Sequence, residues 1–210
     1  MSEPEDPDPT RRFSTRAVDY GRYRPSYPAA AVDAVLAGLA PPAELEAADV
    51  AAGTGIFARL LAARGVRVVA VEPNAAMRAA AAPDSRVRWA AGTAEATGLA
   101  RASCDVATVA QAFHWFEVEP ALRELAAVLR PGGRLAIVWN RRSRDDEFTR
   151  GYRAALEAID GEAPAERSAF DPAVVAATGR FTGLEAHAFE YRQPVTLAEL
   201  VGRARSTSTV

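Results

Sequence analysis

The feature that most restricts the fold of this chain is a short apolar run that ends in a glycine turn. Residues 47–52 are predicted as a strand, Gly53 and Gly55 follow at once, and Phe57 begins an amphipathic helix that ends near Gly65. A strand, a glycine turn and a helix in this order bring backbone N–H groups to a helix N-terminus, where no Cβ keeps a ligand away. The pattern predicts a βα unit with a site for a nucleotide-like cofactor.

A second predicted strand carries an acidic residue at its end. Residues 66–71 are rich in valine, and Glu72 follows them, 19 positions after Gly53. In nucleotide-binding α/β folds a carboxylate at this place accepts hydrogen bonds from ribose hydroxyls. Asn74 is a good N-cap for the alanine-rich helix that comes next. The glycine turn and Glu72 together indicate a cofactor that contains a ribose.

Strands and helices alternate along the following part of the chain. Further strands are predicted at residues 87–89, 105–110 and 134–139, and a helix that begins near residue 118 separates the last two and is closed by the Pro-Gly-Gly sequence at 131–133. Another helix, at 28–40, precedes the first strand. This alternation predicts an α/β, Rossmann-like, doubly wound fold with a mostly parallel sheet that is covered on both faces.

The pattern is weaker beyond residue 139. The charged run at 140–146 leads to a predicted helix at 147–160, while residues 184–191 are predicted as a sixth strand and 197–205 as a last helix. We expect a disordered acidic, proline-rich tail at 1–12 and an N-terminal arm at 13–28. An α/β core would occupy 29–140, and substrate-side helices with the last strand would occupy 141–210 of the same domain.

Composition excludes several functions. The chain has 25 basic and 27 acidic residues, so it lacks the basic surface that a nucleic-acid partner requires. All 25 cations are Arg, and a chain without Lys cannot build a P-loop, a pyridoxal Schiff base or a Tyr/Lys dehydrogenase pair. One Cys and two His make no recognisable metal site, and the N-terminus resembles neither a signal peptide nor a membrane anchor. We therefore expect a cytoplasmic protein with no metal.

The glycine turn alone leaves two cofactor classes open. The sequence Gly53-x-Gly55-x-x-Ala58 also satisfies the dinucleotide fingerprint, so a NAD(P)-dependent oxidoreductase is the alternative enzyme. Two features count against it, because an arm and a helix of about 45 residues precede the first strand and no substrate domain or catalytic pair is visible. A non-catalytic cofactor-binding module on the same fold is a third possibility, since fold does not fix function.

Five motifs, in order, resemble those of class I S-adenosylmethionine-dependent methyltransferases. They begin at Asp49, Val71, Gly92, Gln111 and Leu129, and read DVAAGTG, VEPNAAM, GTAE, QAFHWF and LRPGG. Within that family the chain looks like the small-molecule branch that includes trans-aconitate and quinone-pathway methyltransferases. The arm sequence YGRYRPSYP, at residues 20–28, fits the same group. The resemblance covers roughly residues 13–205.

The resemblance implies how the cofactor, S-adenosyl-L-methionine, would be held. The glycine turn would lie under its methionine part, with Asp49 orienting it, Glu72 on the ribose and Met77 on the adenine. Arg24 of the arm would hold the methionine carboxylate. The cofactor-binding residues expected on this basis are Tyr20, Arg24, Asp49, Ala51, Gly53, Gly55, Glu72, Pro73, Met77, Thr93, Ala94, Glu95, Gln111 and Phe113. Ala51 departs from the family, because the first glycine of the motif usually stands there.

The same resemblance implies a place for the acceptor. Gln111 would lie near the sulfonium, and Phe113 could contact this cation through its ring. His114 is the expected base, while Trp115, Asn140 and Arg141 would meet the acceptor. The reaction would be in-line transfer of methyl to the oxygen or carbon of a small acid or phenol-like acceptor, with S-adenosyl-L-homocysteine as product.

Relatives of this kind usually add one more strand beside the fifth one, after a helix such as that predicted at 197–205, and here that additional strand is expected to be missing. An uncovered edge strand tends to pair with another chain. We therefore expect a monomer or a homodimer, with a small molecule as the acceptor and no membrane partner.

Overall fold

A parallel sheet organises the computed structural model, which describes residues 17–141, 143, 146–160 and 171–205. The five strands are all parallel and stand in the order β3-β2-β1-β4-β5. Their bounds are β1 Glu46–Val50, β2 Arg67–Val71, β3 Val87–Ala90, β4 Cys104–Ala110 and β5 Leu129–Val138. This confirms the Rossmann-like α/β class, and the order reverses between β1 and β4, where such sheets open a ligand crevice at the carboxyl ends.

Helices cover both faces of the sheet. They are α1 Ala17–Tyr23, α2 Ala29–Leu36, α3 Ile56–Ala62, α4 Ala75–Ala79, α5 Val118–Val128, α6 Glu147–Asp160, α7 Ala173–Ala176 and α8 Leu197–Arg205. Alternate strand residues point to opposite layers, so Val69 and Val71 pack in one core with α5, whereas Val68 and Ala70 pack in the other with α2 and α3. Burial of each large side chain, such as Leu122 or Phe57, contributes about 1.5–3 kcal/mol.

Several element ends differ from the prediction, among them the end of α2, which is at Leu36 and not near residue 40. Strand β1 ends at Val50, earlier than predicted, because Ala51 has a φ of 55° and leaves the extended conformation. Strand β5 begins at Leu129, directly after α5, rather than at residue 134. Leu129 lies opposite Cys104 and Arg134 opposite Val106, so the Pro-Gly-Gly sequence at 131–133 is an irregularity inside β5 and does not close the helix.

The predicted sixth strand at 184–191 is wrong. These residues have no regular structure, and Leu184, Phe189 and Tyr191 are exposed. Alternation of apolar and polar residues favours an extended chain but does not specify which edge it pairs with. In the part of the chain that the structure describes, β5 pairs with β4 alone. The helices predicted at 147–160 and 197–205 are confirmed with those bounds.

The N-terminal arm packs against the last helix. Gly202 of α8 lies on the Tyr23 ring of α1, where an added Cβ would come within 2.6 Å of ring atoms. The Arg203 guanidinium donates a hydrogen bond of 3.2 Å to the Tyr23 carbonyl. The predicted tail at 1–12 lies outside the described residues. Within the described ranges, no helix has the length and apolarity that a membrane span needs.

Candidate active site

The turn after β1 uses the left-handed backbone region three times. Ala51, Gly53 and Gly55 have φ of 55°, 58° and 76°. The Ala52 N–H donates to the Val71 carbonyl at 3.1 Å, which ties the turn to β2. A Cβ at Gly55 would lie 2.9 Å from the Trp89 ring, so no larger residue fits there without a shift. The turn is thus a rigid loop at the carboxyl end of β1, as the glycine pattern predicts.

Glu72 is fixed at the carboxyl end of β2 by two backbone donors. Its Oε2 accepts from the Gly53 N–H and its Oε1 from the Asn74 N–H, both at 2.9 Å. The residue is 7% exposed. Burial raises the pKa of this carboxyl, while the Asn74 and Gly53 amides and the Arg78 charge oppose the shift. Each carboxylate oxygen keeps lone-pair capacity for a further donor, and Glu72 lines the cleft.

Asp49 lies beneath the turn, in the sheet. Its Oδ1 accepts a 2.7 Å hydrogen bond from the Thr108 hydroxyl of β4, and its buried Oδ2 has no partner of normal hydrogen-bond geometry. Burial raises the pKa of this carboxyl to about 7, although the Thr108 hydroxyl and the nearby Ala58 amide lower it. A buried carboxyl with an unused oxygen is unusual, and this one lies directly under the glycine turn.

The arm folds over the turn. A Cβ built on Gly53 would lie 3.6 Å from the Tyr20 ring, and the Arg24 guanidinium lies 4.7 Å from the centre of the same ring. Burial raises the pKa of Tyr20, with the Arg24 charge opposing the shift and the Glu72 charge adding to it. Tyr27 packs edge-on against Phe57 at 5.1 Å. The arm therefore closes one side of the cleft beside Glu72.

Tyr27 and Asn140 connect the arm to the ends of β4 and β5. Gln111 has a backbone φ of 62°, and its side chain donates to the Asn140 carbonyl at 3.2 Å and partly offsets the raised pKa of the nearby Tyr27. Asn140 in turn donates from its side chain to the Ser26 carbonyl at 3.0 Å. Burial is the main reason why the pKa of Tyr27 is raised. We did not predict Tyr27 as a site residue, although it stands in the arm sequence that carries the resemblance.

The aromatic run after β4 is divided between core and cleft. Phe113, His114 and Trp115 form a short 3-10 helix. Phe113 is 5% exposed and packs in the core, at 5.6 Å from the Phe116 ring, whereas His114 is exposed and Trp115 is half-buried. His114 and Trp115 line the cleft and Phe113 does not. The cation contact expected of Phe113 therefore stays a prediction, on a residue that the structure places behind the cleft wall.

The residues expected near the adenine lie together at the ends of β2 and β3. Met77 on α4 and Ala94 are each 3% exposed. The Thr93 N–H donates to the Ala96 carbonyl at 3.1 Å, and the Glu95 carboxylate accepts from the Glu117 N–H at 3.0 Å. Thr93 and Glu95 are thus in ordered loop positions.

Most of the expected site residues line one wide, open cleft, which also extends to Arg101 and Pro131 near the opposite end of β4 and β5. Fifteen of them line it: Tyr20, Arg24, Ala51, Gly53, Glu72, Pro73, Met77, Thr93, Ala94, Glu95, Gln111, His114, Trp115, Asn140 and Arg141. Asp49, Gly55 and Phe113 lie behind its wall. In the described residues, no group of three or more His, Cys, Asp and Glu side chains could hold a metal ion. The cleft can accept a ribose, an extended polar chain and a flat ring by hydrogen bonding and packing.

The fold and this site define the class of protein. The chain is similar to a solved structure from Anaeromyxobacter dehalogenans described as a type II methyltransferase, with 36% identity, a TM-score of 0.56 and coverage of 69% of this chain and 62% of that one. A Methanococcus maripaludis protein described as an S-adenosylmethionine-dependent methyltransferase shares the fold, with a TM-score of 0.56 at 18% identity over 76% of this chain and 75% of that one. The fold is that of class I methyltransferases.

Sequence relatives identify the family. A family model described as a methyltransferase domain matches residues 48–137. An uncharacterized methyltransferase of Mycobacterium tuberculosis is 37% identical over 206 residues, which are 96% of this chain and 78% of that protein. A ubiquinone/menaquinone biosynthesis C-methyltransferase of Rubrivivax gelatinosus is 42% identical over 98 residues, 45% of this chain and 39% of that protein. This chain belongs to the methyltransferase domain family.

Proposed function

We propose that the chain transfers a methyl group from S-adenosyl-L-methionine to a small-molecule acceptor. The observation that carries this proposal is the Glu72 carboxylate, held by the Gly53 and Asn74 amides at the carboxyl end of β2. A ribose presents two adjacent hydroxyls, and a fixed carboxylate with a free lone pair on each oxygen can accept from both.

The described residues fit the whole donor. Gly53 offers close approach at the turn, and Met77 with Ala94 forms an apolar surface suited to adenine. Arg24 lines the same side of the cleft and can bind the methionine carboxylate with two donors at once. The donor supplies an activated methyl on a sulfonium, so the protein has no covalent step of its own to perform.

The acceptor would bind beyond the ends of β4 and β5. Gln111, His114 and Trp115 line the cleft there, and Asn140 with Arg141 follows β5. We infer that the acceptor is a small acid or phenol-like molecule, methylated on oxygen or carbon. The partial similarity to a ubiquinone/menaquinone biosynthesis C-methyltransferase supports carbon as one of the possible acceptor atoms.

Positioning would provide most of the rate. Alignment of donor and acceptor in one site removes about 7–11 kcal/mol of the barrier of a two-molecule reaction. His114 is the proposed base for an acceptor that must lose a proton, because its exposed imidazole lies on the acceptor side of the cleft.

Calorimetric titration tests the donor site. S-adenosylmethionine and S-adenosylhomocysteine should bind and NADH should not. Glu72→Gln removes the charge and one acceptor, so it should weaken S-adenosylhomocysteine at least tenfold, or about 1.4 kcal/mol. Glu44→Gln, an exposed acid before β1 at the opposite end of the sheet, is the matched control and should bind normally. Binding of NADH alone, or equal affinities in the two variants, would reject the proposal.

A further inference from the structure

Three aromatic side chains form a continuous surface on the acceptor side of the cleft. The His114 ring lies 4.8 Å from the Trp115 ring and 6.3 Å from the Trp139 ring, at interplanar angles of 43° and 38°. All three line the cleft. We call His114, Trp115 and Trp139 the aromatic cluster. The sequence predicts Trp139 only as the last residue of the strand at 134–139.

The aromatic cluster is supported from behind. Trp115 and Trp139 are half-buried and pack against the core that contains α5. Trp139 directly follows β5, and His114 with Trp115 lies in the 3-10 helix after β4, so regular elements fix both sides of the cluster. One part of each indole is therefore anchored in the core, while the rest faces the cleft. Only the imidazole is largely exposed.

The cluster and the donor half of the site lie on opposite sides of the strand-order reversal. The glycine turn and Glu72 follow β1 and β2, whereas the aromatic cluster follows β4 and β5. A molecule that lies against the cluster is therefore next to the crevice at the β1–β4 boundary, where the reacting parts of donor and acceptor must meet.

We propose that the aromatic cluster is the acceptor subsite and that it takes a planar phenolic ring, a proposal that rests on the methyl transfer proposed above. Two indoles and an imidazole provide π faces and edges, and a flat aromatic ring can stack on these or meet them edge to face. A saturated ring is thicker and offers only C–H contacts to the same surface. The imidazole adds a nitrogen that can accept the phenol proton.

Atoms and charge are conserved in this transfer. A phenolic oxygen gives its proton to the neutral His114 imidazole and uses an electron pair to form the new O–C bond. The bond between sulfur and the methyl carbon breaks, and its electrons remain on sulfur as a neutral thioether. The methyl ether and S-adenosylhomocysteine leave, and the imidazolium returns its proton to solvent.

The test uses the whole chain saturated with S-adenosylhomocysteine. It compares the binding affinity for hydroquinone with that for cyclohexanediol, which has the same hydroxyls on a saturated ring. Hydroquinone should bind at least tenfold more tightly. Trp115→Leu and Trp139→Leu should each weaken hydroquinone at least fivefold and leave cyclohexanediol unchanged, and the Phe variants at both positions should recover most of the affinity. Glu44→Gln, the exposed acid at the opposite end of the sheet, is the control and should bind hydroquinone normally.

Each outcome has a separate meaning. Equal binding of the two rings, or Leu variants with normal hydroquinone affinity, would overturn the planar-ring proposal while the donor site stands. Leu variants that lose S-adenosylhomocysteine as well as hydroquinone would show a structural role and also overturn it. If S-adenosylhomocysteine does not bind to the unaltered chain, the proposed function itself fails, whatever the ring preference.

Discussion

Replacement of Asp49 by Asn should change the way in which stability depends on pH. The Asp49 carboxyl is 1% exposed, and burial raises its pKa from 3.8 to about 7. Between these two values the folded chain holds the proton, whereas the unfolded chain has released it. The free energy of unfolding therefore falls as pH rises through this window. Each pH unit costs about 1.4 kcal/mol, so the unaltered chain should lose about 3 kcal/mol from this group between about pH 5 and about pH 8.

Asn matches the shape of the protonated acid and keeps an oxygen for the Thr108 hydroxyl, which now donates to Asp49 at 2.7 Å. It cannot ionise, so the variant should lack this pH dependence. Relative to the unaltered chain, the variant should gain about 3 kcal/mol of stability on going from about pH 5 to about pH 8. Other titrating groups act equally on both proteins and cancel in the difference.

Urea unfolding, followed at several pH values in the absence of ligand, measures this difference. Asp33→Asn is a suitable control, because it removes a carboxylate from an exposed ion pair with Arg64. Parallel stability profiles for Asp49→Asn and the unaltered chain would refute the reasoning. They would mean that the Asp49 carboxyl is charged in the folded state at all these pH values, despite its burial.

Three further predictions concern the glycine turn, the Gly55 contact with Trp89 and the contact between Asn140 and the arm. Gly55→Ala should destabilise the fold by about 2–4 kcal/mol in urea unfolding, because it adds left-handed strain and a contact with Trp89, whereas Gly98→Ala has the strain without the contact and should cost about 1–2 kcal/mol; equal losses would exclude the contact. Ala51→Gly should stabilise by up to about 1 kcal/mol, since it relieves a positive φ, and a loss in the same assay would contradict this. Asn140→Ala removes a side-chain hydrogen bond to the arm and should accelerate proteolysis within the arm without changing the free energy of unfolding by more than about 1 kcal/mol. Unchanged cleavage would refute the link.

The local parts of the fold and site could be predicted from the sequence because their signals are local. The glycine turn, Glu72 at a strand end and the Asn74 cap each depend on residues within a few positions, and the structure places all three as predicted. The same holds for the helix at 147–160, whose polar and apolar residues alternate with helical period.

The parts that depend on distant pairing could not be predicted. Residues 184–191 have a strand-like pattern, but no local signal says whether β5 would accept them as a neighbour. Tyr27 and Asn140 matter because the arm lies against strand ends more than 80 residues away in sequence, as the hydrogen bond from Asn140 to Ser26 and the influence of Gln111 on the pKa of Tyr27 indicate. Phe113 faces the core for a similar reason, since its direction is set by the 3-10 turn and the packing of α5.

The strand order has a consequence for how such a protein can change its substrate. Most groups proposed to hold the donor follow β1, β2 and β3 or lie in the arm, whereas those proposed to meet the acceptor follow β4 and β5. Substitutions after β4 and β5 can therefore reshape one half without disturbing Glu72 or the glycine turn. Selection can act on acceptor choice through a few side chains while the half proposed to hold the donor, and the sheet beneath it, stay as they are.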